Sequence, residues 1–303
     1  MPPLMLSDSG METTLVCHAG RDLPAFAAFP LLDEEPGRDW LDRYYDRHLT
    51  LAADHGMGFV IDTPTWRASA DWGPDLGYDA AALARVNHAA VAFCRAVADR
   101  WAGRVAPVLV AGVIGPRGDG YVSGTGDAHA AQDYHAPQIA ALAEAGADRI
   151  AAYTLSTPAE ATGIARAARA AGIPVTLSFT LETDGCLPCG TALGNAIAAV
   201  DAATGGYPDF YMINCAHPTH FAHVFDDAPG WAARIGGLKA NASRLSHAEL
   251  DACTTLDDGD PDDLAARTAA LRRMLPALRL LGGCCGTDHR HVAAIARACH
   301  APA

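Results

Sequence analysis

Apolar and polar positions along the chain follow two alternating periods. Short β-type apolar runs recur from end to end, and each is followed by a segment of helical spacing closed by a glycine. Eight runs qualify, at residues 4–8, 58–62, 107–113, 149–153, 174–179, 210–214, 234–239 and 278–282. Between the second and third, Leu83, Val86, Ala90, Cys94, Val97 and Trp101 recur at three- and four-residue steps, enough to lay one apolar face on a sheet. Gly56, Gly146 and Gly172 stand where left-handed caps would end helices, with Pro174 just beyond the last. Asp260-Pro261-Asp262-Asp263 reads as a helix start rather than an acidic functional patch: a cap, a proline at the first position and acids at the positive end of the dipole. Eight βα units predict an α/β fold, a closed (β/α)₈ TIM barrel rather than an open sheet. A barrel of this kind usually takes about 250 residues. With 303 residues and no low-complexity linker, residues 1–303 are read as one barrel domain.

Composition narrows the setting. Half of the chain is hydrophobic, ample for a buried core, yet no stretch approaches the roughly 20 apolar residues of a membrane span. No basic start followed by an apolar signal core opens the chain, so a soluble cytoplasmic protein is expected. A formal net charge of −13 repels phosphate backbones and anionic lipid, which argues against nucleic acid or membrane partners. Nine cysteines at irregular spacing do not form the disulfide framework of a small secreted domain, and reduced thiols are expected.

Barrel sites lie at the C-terminal ends of the strands, where the sequence places Asp8, Asp62, Tyr153, Ser178, Asn214, Cys215, Lys239, Cys284 and Cys285. The run from Phe210 ends in Cys215, and Leu280-Leu281-Gly282-Gly283 breaks into Cys284-Cys285-Gly286-Thr287. A single buried cysteine is ordinary packing. Three at strand ends, two of them adjacent in a glycine turn, point to a metal. Three sulfurs leave tetrahedral Zn²⁺ one open position, as in catalytic rather than structural sites.

Asp8-Ser9-Gly10-Met11-Glu12-Thr13-Thr14-Leu15, Gly112-Val113-Ile114-Gly115-Pro116, Asn214-Cys215 and Gly282-Gly283-Cys284-Cys285-Gly286-Thr287 together resemble the homocysteine S-methyltransferase family, over nearly the whole chain. The resemblance implies a (β/α)₈ barrel, zinc held by Cys215, Cys284 and Cys285, and methyl transfer to a thiol, usually homocysteine, giving methionine. It also implies that Asp8 faces the amino-acid end of the acceptor, and the backbone around Gly10 is assigned beside it to hold that polar end. Three positions depart from the family pattern. Ser9 interrupts the usual Asp-Gly-Gly or Asp-Gly-Ala. Aligning the fourth strand with Pro158-Ala159-Glu160-Ala161 places Tyr153 where relatives carry an acid that binds the amine of homocysteine. Lys239, the only lysine of the chain, ends the seventh strand where relatives often have proline and asparagine. Two acceptors therefore stand open: homocysteine held through Asp8 and backbone groups, or a thiol that lacks the amine or carries an extra acid. The same zinc chemistry on a different sulfonium substrate is a second enzymatic reading, and a zinc-binding protein without methyl transfer is the non-enzymatic one.

Charge arithmetic narrows the donor. Three thiolates on a divalent cation carry −1, and a bound substrate thiolate makes −2, which favours a cationic sulfonium or quaternary ammonium donor of the S-methylmethionine, S-adenosylmethionine or betaine type. Trp66 and Trp72, with Tyr78 nearby, offer aromatic faces worth roughly 0.5 to 2 kcal/mol each to such a cation, or simply anchor their loop. Ser178 and Asn214 are assigned by position to support the ligands or the substrate. The partners expected are a small-molecule thiol acceptor and a methyl donor, with homo-oligomer formation left open. Cys186-Leu187-Pro188-Cys189 is either an accessory metal or redox pair or an ordinary loop. His217, His220 and His223 share one helical face, expected at the surface, although His217 is close enough in sequence to approach the metal. Cys17, Cys94, Cys253 and Cys299 are read as packing or surface thiols.

Overall fold

The computed structural model describes residues 3–121, 126–227 and 229–300. They form the expected closed barrel of eight parallel strands, each hydrogen-bonded to its neighbours in sequence and β1 to β8. The strands are β1 (Met5–Leu6), β2 (Gly58–Asp62), β3 (Val108–Ile114), β4 (Arg149–Leu155), β5 (Val175–Phe179), β6 (Phe210–Asn214), β7 (Ile235–Ala240) and β8 (Leu280–Gly283). Each coincides with a predicted run to within two residues at either end. Only β1 is notably shorter, yet its pairing continues, since Ser7 N–H donates to Leu281 O at 2.8 Å and Gly283 N–H to Asp8 O at 2.9 Å.

Ten helices complete the fold among the described residues: α1 (Met11–Thr13), α2 (Glu35–Asp54), α3 (Ala80–Trp101), α4 (Ala128–Glu144), α5 (Pro158–Ala170), α6 (Leu193–Thr204), α7 (Pro218–Phe221), α8 (His247–Asp251), α9 (Pro261–Met274) and α10 (His289–His300). All six apolar residues read as one face of α3 are buried. Gly56, Gly146 and Gly172 take the left-handed conformation that the helix ends require. Asp260 caps α9, its carboxylate accepting from the Asp262 and Asp263 amides. The segment after β6 departs from the regular plan, because α7 has one turn and continues only as a 3-10 turn, Ala222–Phe225.

The main core lies between strands and helices. A smaller one fills the barrel itself, with Val60, Ala111, Val113, Ala151, Tyr153, Met212 and Leu280. Side chains along a strand repeat every two residues, so the next inward position on each strand lies one layer nearer the C-terminal mouth. That rule carries Val60 to Asp62, Ala151 to Tyr153, Met212 to Asn214 and Gly237 to Lys239. Apolar packing therefore gives way, within one layer, to a floor of polar and charged groups.

Candidate functional site

A cavity of about 460 Å³ opens at this mouth, lined among others by Asp8, Asp62, Tyr153, Asn214, Cys215, Lys239, Cys284 and Cys285. Three sulfurs stand on one side of it, those of Cys215, Cys284 and Cys285 lying within 4.8 Å of one another. Strands β6 and β8 are separated by β7, about 9.5 Å at ordinary strand spacing, whereas the Cα atoms of Cys215 and Cys284 are 5.4 Å apart. The approach coincides with a left-handed Cys215, φ 52°, in a conformation that a non-glycine residue keeps only under firm restraint. The restraints are visible. Cys215 N–H donates to Lys239 O at 3.1 Å, and its carbonyl accepts from Asn241 Nδ2 at 3.1 Å and His247 Nε2 at 2.6 Å. Opposite, Gly10 permits the first loop to reach the cysteine turn, since a Cβ there would come within 2.5 Å of Cys284 O.

Asn214 orients this group from below. Its Oδ1 accepts from Ser178 Oγ at 2.6 Å and from Thr154 N–H at 2.9 Å, and its Nδ2 donates to Thr154 Oγ1 at 2.9 Å and toward Cys284 Sγ at 3.8 Å. Thr154, also left-handed at φ 63°, donates from Oγ1 toward Cys215 Sγ at 3.9 Å. Tyr121 is hydrogen-bonded to Cys285.

The donor set fits a zinc-type ion: three soft sulfur ligands from rigid strand ends, with no fourth histidine or carboxylate in the group among the described residues. Cys215 and Cys284 are joined here as a disulfide, with Cys285 free, so a metal corresponds to the reduced set. Burial, reinforced by Glu12, pushes the Cys285 thiol up to about 11, so that it stays protonated at neutral pH unless a cation stands beside it.

Charged groups occupy the floor. Lys239 Nζ donates to Asp8 Oδ1 at 2.5 Å and to Asp62 Oδ2 at 2.7 Å, and the Tyr153 hydroxyl donates to Asp62 Oδ2 at 2.9 Å. The ammonium also lies 5.0 Å from the centre of the Tyr153 ring. Burial works to lower the Lys239 pKa, but Asp62 and Asp8 outweigh it and hold the amine well above the usual ammonium range. Burial pushes Asp62 up to about 6 against the pull of Lys239.

Ser9, the departure in the first motif, has a structural role. Its hydroxyl bonds to His48 Nε2 at 3.0 Å and to Tyr44 Oη at 3.2 Å, tying the loop after β1 to α2, while His48 Nδ1 contacts Tyr44 O at 2.8 Å. Burial lowers His48 from 6.5 to about 4. A histidine lowered in the folded state stabilises the neutral form, so its contribution is present above pH 6.5 and is lost as pH falls toward 4. Urea denaturation at pH 4.5 should show about 2 kcal/mol less stability from this group than at pH 7, and His48→Asn should remove that part of the slope.

The sequence-assigned residues divide clearly. Asp8, Tyr153, Asn214 and the three cysteines line the cavity, while Ser178 sits behind Asn214 as a support. Gly10 lines it too, but its amide is already engaged, donating to Thr287 Oγ1 at 3.1 Å. Trp66 reaches the cavity and Trp72 is not among its lining residues. Arg67 stacks on both rings, its guanidinium carbon 4.3 and 3.6 Å from their centroids, so one face of each is already occupied. His217 and His220 are buried rather than exposed on a helix face. His217 caps the short α7 and accepts from Thr219 N–H, and it takes no part in the sulfur group. Cys186 and Cys189 are free thiols in the loop after β5, and the Cys189 thiol is satisfied by Thr191 Oγ1 at 3.2 Å. Asp62, Glu12, Arg67, Tyr121 and Thr154 also line the cavity without having been assigned a role from sequence. Of these only Asp62 was legible, as an inward position at a strand end. Burial pushes Glu12 up to about 7.

Comparison with known proteins follows the same outline. The profile of a family described as Homocysteine S-methyltransferase matches residues 5–299. The homocysteine S-methyltransferase of Escherichia coli (strain K12) is 30% identical over 205 residues, 62% of each chain. A methionine synthase of Mycobacterium leprae (strain TN) is 27% identical over 313 aligned positions, which cover 97% of this chain and 24% of that protein. The chain thus spans less than two thirds of either relative. Two crystal structures of the homocysteine methyltransferase MmuM from Escherichia coli share the fold. The oxidized form has a TM-score of 0.75 at 24% identity, covering 96% of this chain and 94% of its own, and the metallated form 0.74 at 23%, covering 97% and 96%.

Proposed function

The chain belongs to the homocysteine S-methyltransferase family, and from that premise we propose that it is a zinc-dependent methyltransferase moving a methyl group from a small cationic donor to a thiol, homocysteine giving methionine foremost. The observation that carries this reading is the convergence of Cys215, Cys284 and Cys285 at the mouth of the barrel. Zinc bound there by the three thiolates would leave one position for the acceptor sulfur and deprotonate it, whereas a free thiol with a pKa of about 8.5 is a poor nucleophile at neutral pH.

The protein's own residues supply position and field. Asn214 and Thr154 direct hydrogen bonds at the sulfurs, and Ser178 fixes the amide that does so. Carboxylates of Asp8, Glu12, Asp62, Asp119 and Asp251 line the cavity against the two cations Lys239 and Arg67. That balance favours a sulfonium or quaternary ammonium donor over an anionic one. S-Methylmethionine, S-adenosylmethionine and betaine meet the demand. A cytoplasmic setting, where glutathione and thioredoxin keep thiols reduced, suits the sulfur set. None of the described helices is long and apolar enough to cross a membrane.

Reduced, zinc-loaded protein incubated with homocysteine and each donor in turn, read by mass spectrometry, should form methionine with one of the three. Stoichiometric zinc without methyl transfer from any of them would instead favour the non-catalytic zinc-binding reading.

A further inference from the structure

Two buried carboxylates from neighbouring strands, with an aromatic face on a third side, make a receptor for one ammonium group. Asp8, Asp62 and Tyr153 form that receptor at the floor of the cavity, and its occupant belongs to the chain: Lys239 Nζ, 2.5 Å from one carboxylate, 2.7 Å from the other and 5.0 Å from the ring centroid. All four side chains are more than nine-tenths buried by residue exposure. The remaining cation that lines the cavity, Arg67, is committed to the two tryptophans. The other lining carboxylates, Glu12, Asp119 and Asp251, stand outside this ion pair.

Resting on the methyl-transfer reading above, we propose that Lys239 is a specificity-determining residue, an internal ammonium that fills the seat between Asp8 and Asp62, so that the acceptor thiol is selected without its amine being read. A ligand amine would have to displace a tethered lysine that already pairs with both carboxylates. The class of acceptor is accordingly that of small alkyl thiols, carboxylated ones included, with the α-amino group dispensable. The contrast is large. A site built to hydrogen-bond a substrate N–H commonly rejects the analogue lacking it by about 10⁴-fold.

The test compares homocysteine with its des-amino analogue, 4-mercaptobutanoate, under a fixed donor. Wild-type protein should show values of kcat/KM within about tenfold of one another for the two thiols, a preference far below that of an amine-reading site. Lys239→Ala empties the seat, and the ratio should then move toward homocysteine, with added ethylammonium returning it toward the wild-type value. A wild-type preference for homocysteine of a hundredfold or more overturns the proposal. Because the chain has a single lysine, protein labelled at lysine Cε gives one side-chain NMR signal, which covers a variant that fails to fold. That signal should keep its buried, ion-paired shift when homocysteine binds, and its move to an exposed-lysine position would overturn the proposal even if no turnover were seen. Failure of every thiol to be methylated would count against the methyl-transfer reading alone, with the lysine signal still deciding the seat.

Discussion

Cys284→Ala is expected to leave the protein folded, to lower its zinc content well below one per chain and to reduce methyl transfer by about 10³-fold or more. On the zinc reading proposed above, removing one of three sulfurs would leave only two thiolates to hold the divalent cation. A metal acting as Lewis acid and thiol activator contributes several kcal/mol to the transition state, and about 4 kcal/mol corresponds to three orders of magnitude in rate. The barrel does not depend on that side chain, because Cys284 is held through its backbone: its N–H donates to Ala240 O at 2.9 Å and its carbonyl accepts from Thr287 Oγ1 at 2.6 Å. Metal analysis by mass spectrometry and a steady-state assay check both halves. Full zinc content with full activity in this variant would remove the sulfur set from the chemistry. Thermal melting without zinc should differ little between variant and reduced wild type, which separates loss of metal from loss of fold.

Much of this site was legible because barrel geometry converts position along a strand into position in space. Residues 58–62 and 210–214 were read with the bounds the strands have, and the period of two then put Asp62 and Asn214 at the mouth. The cysteines stood out because three reactive groups ended two such runs. What stayed hidden depended on contacts across the barrel. Nothing local in the sequence announces that Thr154 and Cys215 adopt left-handed backbone, since that conformation is imposed by Asn214, Asn241 and His247 from other strands and loops. The tryptophans were visible as a cluster, but Arg67, between Trp66 and Ala68 in sequence, was not foreseen as the cation that stacks on them. Burial of His217 and His220 likewise follows from α7 ending after one turn, so the surface face suggested by their spacing never forms. Lys239 was legible as a cation at the site end, while its partners were not, because Asp8 and Asp62 lie 231 and 177 residues away.

That long-range pairing should also make Lys239 a stability determinant. Lys239→Met keeps much of the volume and removes the charge, leaving Asp8 and Asp62 buried without their ion-pair partner among the described residues. Breaking a buried pair from one side costs about 3 to 5 kcal/mol, because the remaining charge is desolvated without compensation. For a domain of this size each kcal/mol lowers the melting temperature by roughly 2 to 4 °C, so a fall on the order of 10 °C is expected. The pH dependence should steepen. With the pull of the ammonium gone, burial raises Asp62 further, so the variant gains more stability than wild type as pH falls and that acid protonates. Adding Asp62→Asn removes one uncompensated charge and should recover part of the loss at neutral pH, giving a double-mutant coupling well outside the few tenths of a kcal/mol of independent sites. Urea denaturation of the four proteins at pH 7 and pH 5 measures all of these terms. A Lys239→Met protein as stable as wild type at pH 7 would mean that the ammonium does not hold the charge of the two carboxylates in balance.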